Sequence, residues 1–366
     1  MEKSPRHFSV FKMSGLYIHI PFCVRKCSYC AFYSVAAPEH EIQSKFFAAL
    51  RNELQTLPPE FSPETVFIGG GTPTAVEFDL LRDFLAGLKR FHPAEFSCEV
   101  NPGTVNTAKL ELLRNSGVNR ISIGVQSFNA GNLKLLGRIH SAAEAAAAVR
   151  MARAAGFQNI SIDLMFGIPA QTIKLLDADL DRALTLSPDH ISIYNLMYEP
   201  DTPLTARNPE RLAEELEAEM YQHIRRRLVG EGFVHYEISN FAKPGFECRH
   251  NLLYWNGGEY IGCGPAAHSH WNNVRYANVS DLNDYCTSGA RREFEEKLTP
   301  EHKARETFVM SLRQISGAGI PPELIEPLTP VLQKLKSNGL IQISGNHVRL
   351  TESALFISDS VFAELI

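Results

Sequence analysis

Along the first half of the chain, short apolar runs alternate with longer segments in which apolar residues recur every three or four positions. The short runs predict buried strands, and the three-to-four spacing predicts amphipathic helices. The predicted strands cover residues 16–20, 65–68, 95–100, 120–125, 160–165 and 191–194. The predicted helices cover residues 39–55, 78–91, 107–115, 141–155 and 173–186. The clearest is 141–155, where Ser141 and Glu144 match a capping box and Gly156 supplies a stop signal.

This alternation predicts an α/β fold with a parallel sheet and right-handed crossovers. A doubly wound open sheet and an incomplete (β/α)6 TIM-like barrel both fit the pattern. In barrels the reactive side chains collect at the C-terminal ends of the strands. The unusual residues of this chain do the same, which favours the barrel. They are a cysteine-rich loop, a triple glycine, Glu99, Gln126, Asp163 and Tyr194.

The second half of the chain has a different pattern. A single long helix is predicted to open at Asn208 and Pro209 and to reach residue 230, with glutamates early and arginines late. Residues 236–278, rich in glycine, asparagine, histidine and aromatic residues, are predicted to be irregular. Two helices and a hairpin near the C-terminus predict an α+β winged-helix-like domain. We therefore expect three units, residues 1–205, 206–298 and 299–366.

Composition narrows the function classes. The chain of 366 residues is 44% hydrophobic and 21% charged, with a net charge of −5. Net acidity disfavours nucleic-acid binding driven by bulk electrostatics, and the C-terminal module has no dense basic face. No apolar run approaches the ~20 residues that span a bilayer. The polar first dozen residues contain no signal-peptide core, so we expect a cytoplasmic protein without a transmembrane segment.

Cys23, Cys27 and Cys30 form a C-x3-C-x2-C run directly after the first predicted strand. Three thiolates can hold a cubane iron–sulfur cluster whose fourth iron stays open to a small ligand. A zinc site with a distant fourth ligand is the main alternative. A disulfide framework is disfavoured, because the chain is long and its seven cysteines are an odd number.

The cysteine run resembles that of the radical S-adenosylmethionine (radical SAM) superfamily. The resemblance implies a [4Fe–4S] cluster on Cys23, Cys27 and Cys30, with SAM chelating the open iron. It also implies that Gly70 and Gly71, in the loop Gly69-Gly70-Gly71-Thr72-Pro73, approach the methionine part of SAM. Taken alone, that glycine loop is weak evidence, because such loops bind phosphates in many folds.

Further motifs resemble the oxygen-independent coproporphyrinogen III oxidase branch of that superfamily. They are Cys98-Glu99-Val100-Asn101-Pro102, Gly124-Val125-Gln126-Ser127-Phe128, Leu136-Gly137-Arg138 and Asp163-Leu164-Met165-Phe166-Gly167. By position in these motifs the resemblance implies the SAM contacts Tyr17, Tyr29, Gly71, Thr72, Glu99, Gln126, Arg138 and Asp163. Taken alone, Glu99 could equally be a loop-capping carboxylate.

Two departures from the branch bear on activity. The coproporphyrinogen dehydrogenases carry a fourth cysteine two residues after the third, where this chain has Phe32. They also have a longer N-terminal extension. Both differences disfavour porphyrinogen oxidation, so we do not expect coproporphyrinogen dehydrogenase activity, although SAM cleavage stays open.

The run His250-Asn251-Leu252-Leu253-Tyr254-Trp255 resembles the H-N-x-x-Y-W signature of the HemW-type heme chaperones. The resemblance implies that His250 binds heme, with His268 and His270 as weaker candidates for a second ligand. A packed histidine without a ligand is the alternative. The resemblance implies heme and heme-acceptor proteins, such as respiratory, membrane-associated ones, as partners. Our two hypotheses are thus a heme chaperone that carries the cluster and SAM, and a radical SAM oxidoreductase acting on a porphyrinogen.

Overall fold

The computed structural model describes residues 13–366 and has a partial barrel at its centre. Six parallel strands lie side by side in chain order. They are β1 (Ser14–Ile20), β2 (Thr65–Gly70), β3 (Glu95–Val100), β4 (Arg120–Gln126), β5 (Asn159–Phe166) and β6 (His190–Asn195). A doubly wound sheet would reverse its strand order, so this sequential order confirms the incomplete (β/α)6 barrel.

Six further strands extend the same sheet on both sides. They are β7 (Val234–Glu237), β8 (Asn240–Ala242), β9 (Glu259–Cys263), β10 (His268–Trp271), β11 (Val274–Asn278) and β12 (Arg292–Lys297). Strand β9 pairs in parallel with β1, and β10 to β12 follow it as an antiparallel meander. On the other side β8 pairs antiparallel with β6, and β7 pairs antiparallel with β8 at the edge of the sheet.

Helices cover the outer face of the sheet and its ends. They are α1 (His40–Gln55), α2 (Phe78–Leu88), α3 (Thr107–Asn115), α4 (Ala130–Leu135), α5 (Ala142–Ala154), α6 (Ile173–Thr185), α7 (Pro203–Arg207), α8 (Glu214–Gly230), α9 (Arg249–Trp255) and α10 (Leu282–Ser288). The predicted capping box is present, because Ser141 Oγ accepts from Glu144 N while Glu144 accepts from Ser141 N. None of the helices within residues 13–366 has the length and apolar character needed to cross a membrane.

The C-terminal part is a small α+β unit, as predicted. Its helices are α11 (Pro300–Ser311), α12 (Ile325–Ser337) and α13 (Ser358–Ala363). Its three-stranded antiparallel sheet consists of β13 (Ala318–Gly319), β14 (Ile341–Ser344) and β15 (His347–Leu350). The tight turn between β14 and β15 uses Gly345 at a φ of 58°, as the hairpin prediction required.

Two sequence predictions about the second half are wrong. The long helix begins at Glu214 rather than near Pro209, because Asn208 adopts a left-handed conformation that ends α7. The stretch 236–278 is not irregular, since it contributes several strands and α9 to the fold. Its strands are short and joined by tight turns, such as Asn272–Asn273 with both φ values positive, so turn residues dominate the composition.

Alternate residues of the barrel strands have opposite environments. On one side, residues such as Leu16, Ile18, Val66 and Ile121 are fully buried in the hydrophobic core under the helices. The other side is polar and cross-linked between strands; for example, Ser122 Oγ donates to the Asp163 carboxylate at 2.9 Å. The barrel interior is therefore lined with polar groups at both ends.

Candidate functional site at the carboxyl end of the barrel

The three cysteines lie in the loop that follows β1, and their thiols are half-buried and free. Phe22–Cys23 forms a short parallel pair with Val35–Ala36, which closes the loop at its base. Burial raises the pKa of Cys23 and of Cys30 above the ordinary thiol value. Because metal ligation requires the thiolate, a metal bound by these thiols would displace their protons.

A second loop, Leu136-Gly137-Arg138, supports the cysteine loop from beside it. Ser28 N donates to Leu136 O at 3.0 Å, and Arg25 donates to the carbonyls of Gly137 and Arg138. Arg138 Nη1 lies 3.3 Å from Cys27 Sγ. A positive charge is thus already placed beside one of the predicted cluster ligands.

The glycine loop after β2 packs against the cysteine loop. Gly71 N donates to Ile20 O, and Thr72 N donates to Phe22 O at 2.7 Å. A Cβ on Gly71 would lie 2.6 Å from Phe22 O, so only glycine fits there. Gly70 has a φ of +111° and faces the His19 ring. The close approach of the two loops is therefore enough to explain why glycine is needed there. At the same contact, Thr72 Oγ1 comes within 3.8 Å of Cys23 Sγ.

Glu99 lies on β3 and Asp163 lies on β5, and both carboxyl groups face the barrel interior at its carboxyl end. Burial and the nearby Asp163 carboxylate raise the pKa of Glu99 to about 8. Burial also raises the pKa of Asp163, although Ser122 and Ser161 donate hydrogen bonds to it. Within the described residues Glu99 accepts one backbone hydrogen bond, from Gly70 N at 3.2 Å. Two such carboxyl groups suit the hydroxyl and ammonium donors of a polar ligand.

Gln126 ends β4 in a left-handed conformation, with a φ of 67°. Asp179 of α6 stabilises this strained backbone conformation, because its carboxylate accepts from Ser127 Oγ and from Phe128 N, each at 2.6 Å. Sequence reasoning missed Asp179, since an aspartate within a helix carries no motif. The strained backbone presents Gln126 at the same end of the barrel as Glu99.

Arg138 also reaches into this end, where its Nη2 donates to the Gly124 carbonyl. Its Nε is buried and has no hydrogen-bond partner within residues 13–366. Tyr17 lies deeper, where its hydroxyl bonds His19 Nδ1 at 2.9 Å, and burial raises its pKa. Burial raises the pKa of Tyr29 as well, so both phenols stay neutral.

The structure therefore brings the predicted cluster and SAM residues to one end of the barrel. These are Tyr17, Cys23, Cys27, Tyr29, Cys30, Gly70, Gly71, Thr72, Glu99, Gln126, Arg138 and Asp163. Three thiols, an incompletely bonded buried guanidinium and carboxyl groups fit an iron–sulfur cluster with a zwitterionic ligand such as SAM.

His250 lies at the opposite end, where α9 closes the amino-terminal mouth of the barrel. His250 is only 1% exposed, and its ring stacks on Phe67 with centroids 5.2 Å apart. Nδ1 bonds Thr65 Oγ1 and Nε2 bonds Tyr254 OH, each at 2.8 Å. Burial lowers the pKa of His250 to about 3. Both ring nitrogens are thus occupied by side chains of the protein itself.

The surroundings of His250 form a buried polar network that sequence reasoning missed. Glu95 accepts from the backbone of Arg249 and of His250, at 2.9 and 3.1 Å. Next to it His190 bonds both Ser161 and Tyr236 at 2.8 Å. The available signal was alternation: along most of β3 to β6, polar residues occupy every second position, between apolar residues. His268 is exposed, whereas His270 is buried on β10, with its ring centroid 6.4 Å from that of Tyr260.

Comparison with known proteins agrees with this arrangement. The family model described as the radical SAM superfamily matches residues 17–183. The heme chaperone HemW of Bacillus subtilis (strain 168) is 35% identical, over 97% of this chain and 99% of that protein. The heme chaperone HemW of Escherichia coli (strain K12) is 40% identical over 69% of each chain.

Among solved structures, coproporphyrinogen III oxidase (HemN) from Escherichia coli superposes with a TM-score of 0.85. The match covers 97% of this chain and 90% of that one, at 22% sequence identity. At this identity the likeness establishes the shared fold.

Proposed function

The chain belongs to the HemW family within the radical SAM superfamily, and from this membership we propose that it is a heme chaperone. It binds heme and delivers it to acceptor proteins, including respiratory, membrane-associated ones. The observation that carries the proposal is the similarity to a protein named as a heme chaperone along nearly the whole of both chains.

The resident cofactors in this proposal are a [4Fe–4S] cluster and SAM. Cys23, Cys27 and Cys30 would hold the cluster, which would supply an open iron for SAM to bind. Arg138 has a free buried Nε for the SAM carboxylate. The protonated form of Glu99, favoured up to about pH 8, can donate as well as accept a hydrogen bond.

Phe32 distinguishes this site from that of a porphyrinogen-oxidising relative. Its side chain, at the position of the extra cysteine of the dehydrogenases, is 73% exposed. It therefore extends into solvent from the cysteine loop and supplies no thiol. This supports heme handling rather than porphyrinogen oxidation.

We propose that the protein works in the cytoplasm. All seven cysteines are free thiols, and an iron–sulfur cluster with an open iron requires a reducing environment.

One anaerobic sample tests the proposal. After reconstitution with iron and sulfide, we expect heme to bind with a Soret shift and to pass to an apo-acceptor. With SAM and a reductant, we expect no conversion of coproporphyrinogen III to protoporphyrinogen IX. Turnover of coproporphyrinogen without heme binding would replace the chaperone by the oxidoreductase hypothesis.

A further inference from the structure

Beside the cysteine loop, the surface carries a basic groove of about 570 Å³. The groove lies between that loop, α4, the start of α5 and α7. Its lining contains no aspartate or glutamate, and it includes five cationic side chains: Arg25, Lys26, Lys134, Arg138 and Arg207. This contrasts with the net charge of −5 of the whole chain.

Within residues 13–366 none of these five cations forms an ion pair with a carboxylate. Arg25 donates to the backbone carbonyls of Gly137 and Arg138, and Arg138 donates to the Gly124 carbonyl and to Cys27 Sγ, so the positions of both guanidinium groups are fixed. Lys26, Lys134 and Arg207 are exposed. Converging cations without a counterion repel each other, and an anion bound among them removes that repulsion.

The groove continues into an apolar cleft of about 310 Å³. Lys134 and Arg207 line both spaces, and the far part of the cleft is lined by Leu135, Leu204 and Pro209. Leu204 belongs to a small hydrophobic cluster separate from the main core. Together the two spaces have a cationic part and an apolar part, which suits an amphiphilic anion.

The groove is coupled to the cluster loop by short hydrogen bonds. Leu204 N donates to Ser28 O, and Ser28 Oγ donates to Leu135 O, each at 2.7 Å. Ser28 directly follows Cys27. A ligand in the groove therefore contacts elements that also position one of the predicted cluster ligands.

The geometry points to this groove as the binding site for the propionate carboxylates of heme, with the apolar macrocycle against the cleft. The inference rests on the proposed function and specifies where on the molecule heme binds. Arginine and lysine are the side chains that bind carboxylates most strongly, arginine with two parallel hydrogen bonds. The volumes of both spaces fall in the range of small-molecule sites.

A charge-reversal variant, Lys134→Glu with Arg207→Glu, tests the site in the reconstituted protein. We expect heme affinity, measured by Soret titration, to fall by at least about tenfold, as loss of charge-assisted hydrogen bonds predicts. The matched control, Lys174→Glu with Lys336→Glu, makes the same charge change at exposed lysines elsewhere and leaves heme affinity within about twofold. Circular dichroism and the ~400 nm cluster absorbance establish that both variants are folded and loaded.

Heme dimethyl ester, which lacks free carboxylates, provides the second arm. We expect the wild type and the groove variant to bind the ester equally. The neutral variant Lys134→Gln with Arg207→Gln gives a smaller loss of heme affinity than the reversal.

Equal heme affinity in the wild type and the groove variant overturns this inference, and so does an equal loss for heme and its ester. Failure of the wild type to bind heme at all overturns the proposed function instead. The two failures are therefore distinguishable.

Discussion

The two ends of the barrel are made from the same six strands, and both are polar inside, yet Glu95 and His250 at one end are more fully hydrogen-bonded than Glu99 and Arg138 at the other. The difference concerns these side chains, since Arg120 Nε at the amino end is also buried without a partner within residues 13–366. At the amino end, Glu95 and His250 are bonded by neighbouring backbone and side chains, and α9 closes the mouth. At the carboxyl end Glu99 accepts one backbone hydrogen bond, and Arg138 keeps a buried nitrogen without a partner in the described chain. A satisfied polar network stabilises a fold, whereas an incomplete one is available to a ligand.

The largest expected effect concerns the cysteine loop. Replacing Cys27 by serine removes one of three predicted cluster ligands, so the ~400 nm absorbance should be lost after anaerobic reconstitution. Cys286→Ser, at a half-buried cysteine of α10, is the control and should keep the cluster. If the Cys27 variant kept its cluster, the assignment of Cys27 as a cluster ligand at the carboxyl end would be wrong.

Glu95 and Glu99 sit four residues apart on β3 and allow a matched test. Glu99→Gln should weaken SAM binding by about tenfold or more, because an ionisable hydrogen-bond partner is lost. Glu95→Gln should instead lower the free energy of unfolding by about 3 kcal/mol, because its amide faces backbone donors. Equilibrium dialysis with labelled SAM and urea denaturation measure the two effects. If Glu95→Gln weakened SAM binding and Glu99→Gln lowered the stability, the assignment of the ligand site to the carboxyl end would be wrong.

The raised pKa of Glu99 also predicts a pH dependence. In the unfolded chain the carboxyl has its ordinary pKa of 4.5, and in the folded protein its pKa is raised to about 8. Between these values the folded state binds more protons, so its stability falls as pH rises from about 5 to 8. In the protein without cofactors, the melting temperature of Glu99→Gln should decline less steeply over this range than that of the wild type. Parallel profiles would show that Glu99 ionises normally.

His250→Ala tests whether the amino end is structural. We expect a loss of about 2 to 4 kcal/mol of stability, because Thr65 and Tyr254 lose their partner inside the barrel. Heme affinity of the folded protein should stay unchanged, and His268→Ala, at an exposed histidine, should alter neither quantity. Loss of the heme Soret band in a stably folded His250 variant would instead identify this residue as a heme ligand, as the family resemblance implies.

The smallest expected effect is at Asp179. Asp179→Asn weakens the support of Ser127 and Phe128, so the strained Gln126 is less well held and SAM binding should weaken by about three- to tenfold. Asp181→Asn, on the same helix but paired with Arg227 at the surface, is the control. A change in SAM affinity equal in both variants would show that Asp179 does not act through Gln126.

Much of the barrel could be predicted because local signals and tertiary packing agree there. The strands at 65–70, 95–100 and 159–166 bury apolar residues at every second position along most of their length, and the helix after Ser141 begins with a capping box that the sequence shows. The stretch 236–278 could not be predicted in the same way. Its strands are short, and pairing with β1 and β6, which are distant in the chain, decides their structure.

The sequence by itself determined the order of strands and helices in the barrel, the spacing of Cys23, Cys27 and Cys30, and the motifs that the chain shares with its family. These are local properties, because spacing and periodicity act over a few residues. Only the tertiary structure decided that Glu99 faces an incompletely bonded site while Glu95 is enclosed, and that His250 lies inside the fold. The physical reason is that satisfaction of a buried polar group depends on partners such as Thr65 and Tyr254, which folding brings together from distant segments.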